Sequence, residues 1–347
     1  MTIDKFQFIL LAVFALVTTG ALTWPVRKLA LRIGALDIPN VERKTQKSPV
    51  PYLGGVSIAL GITLVTVTST FVSNRDGYLF DLLVSVLGPA IALGILGLVD
   101  DLKSLSPWPR LLAQTLVGIF VGVVIISNGT VGTPFSTQEL NTLISILWVV
   151  IICNSINFFD NLDGAASGTV AIIALGTFVI AFAQGQELVA ALSIVTAGSA
   201  LGFLAWNKAP AKIYMGDAGA LFLGVIVSVL TIRLDPGIFP QVQSLLIPLI
   251  LLSVPFLDTA VSVSSRVLRG VSPLTGGRDH LSHRMIRAGI SRPKSAFLLW
   301  GASVISSLVA ILVYFYPGTL GIGVAALYFA CWIAAFVLFI RTPSTGD

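Results

Sequence analysis

Eleven apolar runs, at about 6–24, 53–73, 82–99, 111–127, 141–157, 166–183, 188–206, 218–232, 244–265, 296–315 and 320–340, take up most of the 347 residues. Roughly 17–25 apolar residues carry an α-helix across the hydrocarbon core of a bilayer, and lipid admits only helices or closed barrels because every backbone polar group must be paired internally. The runs therefore predict an all-α, polytopic integral membrane protein of about 11 transmembrane helices, forming one domain over 1–347. The eighth run is short, so ten or twelve spans are alternatives. Only 11% of the residues are charged, against roughly 25% in a soluble globular chain. The first run is expected to remain as a span. One Lys precedes it, and no small-x-small cleavage pattern comes before the basic segment that follows. Cys153 and Cys331 both fall inside apolar runs, which argues against a disulfide framework or a zinc site.

Eleven spans place the termini on opposite sides. Loops 25–52, 100–110, 158–165, 207–217 and 266–295, together with Arg341, hold 18 of the 21 Lys and Arg; the other side holds Lys5, Arg75 and Arg233. Positive charge collects on the cytoplasmic side, so the expected topology has the N-terminus outside and these five loops and the C-terminus inside. The net charge of +5 is accounted for by this asymmetry and gives no indication of nucleic-acid binding.

The acidic residues sort by the same topology. Asp4, Asp76, Asp81, Glu139, Glu187 and Asp235 are scattered singly on the outer side and read as solvated charges, whereas Asp100, Asp101, Asp160, Asp163 and Asp217 lie at cytoplasmic ends of spans. A carboxylate near lipid is costly unless it meets a cation or water. Asp100 and Asp101 are adjacent, with Lys103 one turn beyond Asp100; paired carboxylates repel unless a cation or proton lies between them, and Mg2+ takes one or two carboxylates plus substrate phosphates. In NSINFFDNLDG at 154–164, Asn154, Asn157 and Asp160 step by three, giving one polar stripe on a helix, and Asp163-Gly164 then forms a turn. In NKAPAKIYMGDAG at 207–219, Gly216 and Gly219 permit close backbone approach, and Asp217 begins the eighth span, where an N-cap or a phosphate site are both open readings. His280 and His283, the two histidines of the chain, sit in RDHLSHR at 278–284, suited to an anionic diphosphate or to proton transfer. No Walker A pattern is present.

Together DDLK at 100–103, NSINFFDNLDG, NKAPAKIYMGDAG and RDHLSHR, with KSPVPYLGG at 47–55 and PFLDT at 255–259, resemble the polyprenyl-phosphate N-acetylhexosamine-1-phosphate transferases, glycosyltransferase family 4. The resemblance spans residues 47 to 284, in matching order. It implies transfer of a sugar 1-phosphate from a UDP-sugar to undecaprenyl phosphate with release of UMP, at the cytoplasmic face of a bacterial inner membrane. It further implies Mg2+, with Mn2+ as the alternative, held by Asp217 and Asp100. Asp100, Asp101, Lys103, Asn157, Asp160, His280 and His283 would be catalytic, with Asp100 the base for the lipid phosphate. Lys47, Leu162, Asp163, Gly164, Asn207 and Tyr214 would meet the nucleotide, Tyr214 stacking on uracil. A homodimer is an open assembly. The HxxHR pattern of the last loop is similar to the UDP-GlcNAc branch, whose usual form has a His where this chain has Ser282. The branch acting on UDP-MurNAc-pentapeptide, with three adjacent His there, is the first alternative. A secondary transporter with a buried Asp ion site is the second, although its charges would be expected nearer the bilayer midplane.

Overall fold

The structure is a computed structural model and describes residues 3–38, 49–72, 83–132, 135, 137–239, 241–274 and 276–343. Among these residues ten helices are long and apolar enough to cross a membrane, and a bent helix pair brings the total to eleven. In chain order they are α1 (Lys5–Ile33), α2 (Gly54–Val72), α3 (Gly88–Lys103, entered through a π-helical turn at Leu83–Leu87), α4 (Pro107–Ser127), α5 (Gln138–Phe159), α6 (Ala165–Ala183), α7 (Glu187–Asn207) and α8 (Gly216–Arg233). The bent pair α9 (Gln241–Leu251) and α10 (Ser253–Leu268), a short helix α11 (Leu281–Arg287), α12 (Arg292–Phe315) and α13 (Thr319–Arg341) complete the chain. Among the described residues each of the eleven apolar runs falls on one of these ten helices or on the bent pair. A two-residue antiparallel ladder, Leu36–Asp37 with Val50–Pro51, closes the segment after α1.

Helix α8 sits at the centre. Every residue from Ala218 to Thr231 is buried, as expected of a helix that is apolar all round. Helices α2, α3 and α5 pack around it, while α1, α6 and α7 form a second layer and α12 backs α6. α8 has 18 residues, which at about 1.5 Å each is about 27 Å and enough to span. By contrast, Gly321 and Ala325 are the buried residues of α13, so its apolar sides face outward.

The 72° bend between α9 and α10 has a local cause. Pro255 has no N–H for the carbonyl of Leu251, and its ring crowds that carbonyl, so a continuous helix fails there. Trp332 donates its indole N–H to the Ser253 carbonyl at 2.9 Å, and the Ser253 hydroxyl donates to the Ile250 carbonyl at 2.7 Å, pairing groups at the bend. The ends of α3, α5, α7 and α10 and the starts of α4, α8 and α12 all gather at one end of the bundle, around a single cavity.

Candidate active site

Close backbone contact brings α2, α3 and α8 together. A Cβ on Gly55 would lie 2.0 Å from the Gly219 nitrogen, and one on Gly97 would lie 2.3 Å from the Asp217 carbonyl oxygen. The start of α8 is thereby pressed against the end of α3, where Asp101 uses both carboxylate oxygens on it. They accept the backbone N–H of Asp217 at 2.9 Å and of Ala218 at 3.1 Å. Gly216 makes this approach feasible, since its φ is +72° and a Cβ there would come within 2.6 Å of an Asp101 oxygen. Asp101 thus caps α8 from another helix, a charge placed where the helix N-terminus favours anions.

This anchoring aims Asp217 into the cavity. One of its oxygens accepts from the Asn157 amide at 2.6 Å and the other from Arg110 Nη1 at 3.2 Å. The same Arg110 nitrogen donates to Asp100 at 2.7 Å, and the other Asp100 oxygen accepts the Leu105 N–H at 2.6 Å. Asp100 is buried with its side chain 5% exposed, whereas that of Asp217 is 30% exposed. Of the polar stripe expected on α5, Asn157 reaches the site; Asn154 turns to Gln114 on α4 at 2.5 Å.

The α5–α6 and α7–α8 connections form the next wall. Asn207 is buried and bonded through both amide atoms: its amide oxygen accepts from Gly164 N–H and the Ser167 hydroxyl, and its amide nitrogen donates to the Ile213 carbonyl. Asp163 accepts the Ala211 N–H at 3.0 Å, and Trp300 donates to the Gly164 carbonyl at 3.0 Å. These bonds hold Leu162, Asp163 and Tyr214 along the cavity edge. Tyr214 is stitched by its backbone to Pro51 and Gly54. Asp160, at the end of α5, is pushed up to about 8, first by burial and then by the charges of Asp217, Asp101 and Asp163.

The facing wall is basic. On α10, Asp258, Ser262 and Arg266 recur every fourth residue and grip one ring. His280 Nδ1 lies 2.7 Å from Asp258 and 3.0 Å from Ser262, and its Nε2 lies 3.4 Å from Arg266. The other Asp258 oxygen accepts the Leu281 N–H at 2.7 Å. Arg266 also pairs with Asp279 at 3.0 Å, as does Arg269. His283 lines the cavity beside His280 and is held down to about 4, first by burial and then by His280, with Asp258 opposing and Arg278 and Arg292 adding to the fall. Ser282 is buried and bonds to Asn161, so it faces the α5–α6 connection.

The cavity has a volume of about 630 Å³, within the range of small-molecule sites. It brings together Asp101, Asn157, Asp160, Asp163, Asp217 and His283, with Leu162, Asn207, Tyr214 and His280. Asp100 stands behind it on Arg110, and Lys103 is exposed at the end of α3 without lining it. Lys47 lies outside the described residues. Arg110, Arg266, Arg292 and Asp258 join the site without having been expected. The i, i+4, i+8 pattern of Asp258, Ser262 and Arg266 was a signal available in the sequence; Arg110 offered none beyond a charge in the first turn of a span. Among the described residues no group of three or more His, Cys, Asp or Glu is arranged for a metal. A hard divalent cation that takes one or two carboxylates and completes its shell with phosphate oxygens nevertheless fits Asp217, which is partly exposed at the cavity.

Fold and site define a polytopic membrane protein with a polar cavity at one end of the helix bundle, acidic on one wall and basic on the other. The chain belongs to glycosyl transferase family 4. The family model matches residues 83–235. A probable undecaprenyl-phosphate N-acetylglucosaminyl 1-phosphate transferase of Bacillus subtilis is 31% identical over 336 residues, 94% of this chain and 87% of that protein. A decaprenyl-phosphate N-acetylglucosaminephosphotransferase of Mycolicibacterium smegmatis is 28% identical over 96% of this chain and 88% of its own length. A phospho-N-acetylmuramoyl-pentapeptide-transferase of Streptococcus thermophilus is 28% identical over 56% of this chain and 62% of its own length.

Proposed function

We propose that the protein transfers N-acetylglucosamine 1-phosphate from UDP-GlcNAc to undecaprenyl phosphate at the cytoplasmic face of a bacterial inner membrane, releasing UMP and starting a lipid-linked envelope glycan. The observation that carries this reading is one cavity at the gathered helix ends, with Asp217 and Asp160 on one wall and Arg266, His280 and His283 on the other, in a chain whose Bacillus subtilis relative matches over 94% of it.

An oxygen of the lipid phosphate attacks the β-phosphorus of UDP-GlcNAc; the P–O bond to UMP breaks, and the electron pair leaves on the UMP phosphate. Two anions must be brought together, so alignment and charge neutralisation dominate. One Mg2+, or Mn2+, on Asp217 and the substrate phosphates would supply part of that charge. Arg266 faces the cavity, braced by Asp279, and the His280 ring is fixed by Asp258, so both side chains are oriented before substrate arrives. His283 is neutral at pH 7 and serves as a hydrogen-bond partner for phosphate or sugar. A phosphate monoester loses its second proton near pH 6, about as in phosphoserine, so the demand on Asp100 as a base is small. Asp100 and Asp101 carry donors on both oxygens, which favours direct attack by the lipid over an aspartyl-phosphate. The Tyr214 ring and the Leu162–Gly164 turn form the nucleoside end.

Purified protein in nanodiscs with undecaprenyl phosphate and Mg2+ should release UMP from UDP-GlcNAc, stop on chelation, and leave UDP-MurNAc-pentapeptide unused. Release from the MurNAc donor alone would move the chain to that branch; a preference for UDP-GalNAc would keep the reaction and change the sugar.

A further inference from the structure

Arg110 is the cation that sits between the two carboxylates expected to share a metal. One nitrogen, Nη1, lies 2.7 Å from Asp100 and 3.2 Å from Asp217. Its two bonds are unequal in kind. Asp100 is nearly inaccessible and closer; Asp217 is 30% exposed and farther. The remaining Asp217 oxygen is held by Asn157 at 2.6 Å and the backbone of Asp217 by Asp101. Every donor to the Asp217 carboxylate except Arg110 is neutral, so Arg110 is the one charged competitor bonded to it among the described residues.

We propose that Arg110 competes with the divalent cation for Asp217, and that metal binding frees its guanidinium from Asp217 while Asp100 keeps it at the cavity wall, facing the phosphates. The guanidinium bridges two carboxylates whose other partners are neutral and which would repel each other without it. On metal binding Asp217 exchanges one cation for another. The guanidinium stays tied to Asp100 and presents its other N–H groups beside the ion, where the planar fork suits phosphate oxygens. Arg110 thus has opposite effects on two steps: it weakens binding of the bare ion and strengthens holding of the diphosphate.

This inference rests on the proposed transferase reaction only for its second half; the first half is read without substrate. Mn2+ binding to substrate-free protein in nanodiscs, followed by electron paramagnetic resonance, measures the competition for Arg110→Gln, Arg110→Lys and the control Lys103→Gln. Lys103 is an exposed cation on the same stretch that makes no bond to Asp217. Arg110→Gln should bind Mn2+ at least about fivefold more tightly than wild type, while Lys103→Gln and Arg110→Lys stay within about twofold. In UMP release, Arg110→Gln should raise the KM for UDP-GlcNAc at saturating Mg2+. Mn2+ affinity that is unchanged or weaker in Arg110→Gln, with an unaltered melting temperature, overturns the proposal, as does an equal gain in Lys103→Gln. Absence of saturable Mn2+ binding in wild type and Arg110→Gln alike overturns it as well. If the variant shows the expected Mn2+ gain and no UDP-sugar is a substrate, the competition stands and the transferase reading falls.

Discussion

Replacing Asp101 by Asn separates holding from chemistry. Its two oxygens accept the N–H groups of Asp217 and Ala218 at 2.9 and 3.1 Å. A hydrogen bond to a charged acceptor contributes about 1.5–3 kcal/mol net, a neutral one about 0.5–1.5 kcal/mol. Asparagine offers a single, uncharged acceptor oxygen, so the start of α8 loses about 2–4 kcal/mol of anchoring. If all of that loss reaches the transition state through a displaced Asp217, at 1.36 kcal/mol per decade it lowers kcat by about 30- to 1000-fold. The assay is UMP release in nanodiscs, with melting temperature as the check on folding. The expected result is a fall within that range. A loss well beyond about 10⁴-fold in a folded protein would refute the reasoning, because removal of a general base or nucleophile behaves in that way.

Three further expectations follow from the same geometry. Asp217→Asn should lower transfer by about 10²- to 10⁴-fold with insertion and folding intact; near wild-type turnover with unaltered Mg2+ dependence would remove Asp217 from the site. If the Tyr214 ring stacks on uracil, Tyr214→Phe should be nearly silent and Tyr214→Ala should raise the KM for UDP-GlcNAc about 5- to 100-fold, whereas equal damage from both would assign the role to the hydroxyl. His283 sits at about 4, below its ordinary value near 6.5. Between those values the unfolded chain binds the extra proton, so this contribution to stability is complete above about pH 6.5 and is lost as pH falls towards 4. Wild type should therefore lose more melting temperature than His283→Gln between pH 7 and pH 4.5; parallel curves would place the titration elsewhere.

The helical architecture was legible because a segment that crosses lipid must be apolar and internally hydrogen-bonded: ten of the runs are long apolar helices and the ninth is the bent pair. What the runs did not give was their ends. The first run stops at about 24, yet α1 continues to Ile33, since Arg27, Lys28 and Arg32 end the apolar pattern without ending the helix. Nor did they give the bend before Ser253, because a proline near a helix start is tolerated in many helices and only its packing decides the angle. At the site, motif spacing located Asp100, Asp101, Asn157, Asp160 and Asp217 at one end of the bundle. It could not tell that Asp101 faces a helix N-terminus while its neighbour Asp100 faces a guanidinium, since adjacent helical residues point about 100° apart and the partners come from other helices. Asn207 was expected at the nucleotide; it lines the cavity, and its amide also ties Gly164, Ser167 and Ile213 together, which its place in the sequence did not reveal. Ser282 was the residue that departed from the GlcNAc pattern, and its bond to Asn161 turns it from the cavity. Such roles depend on partners distant in sequence, and no local pattern encodes them.

The central claim is that a sugar 1-phosphate, and not the sugar alone, leaves the nucleotide. UDP-GlcNAc labelled with ³²P at the β-phosphate distinguishes the two directly when incubated with the protein in nanodiscs, undecaprenyl phosphate and Mg2+. The account predicts that the label moves into the lipid fraction in step with unlabelled UMP, and that Asp217→Asn retains it in the nucleotide. Label released as UDP, with unlabelled sugar in the lipid, would contradict it.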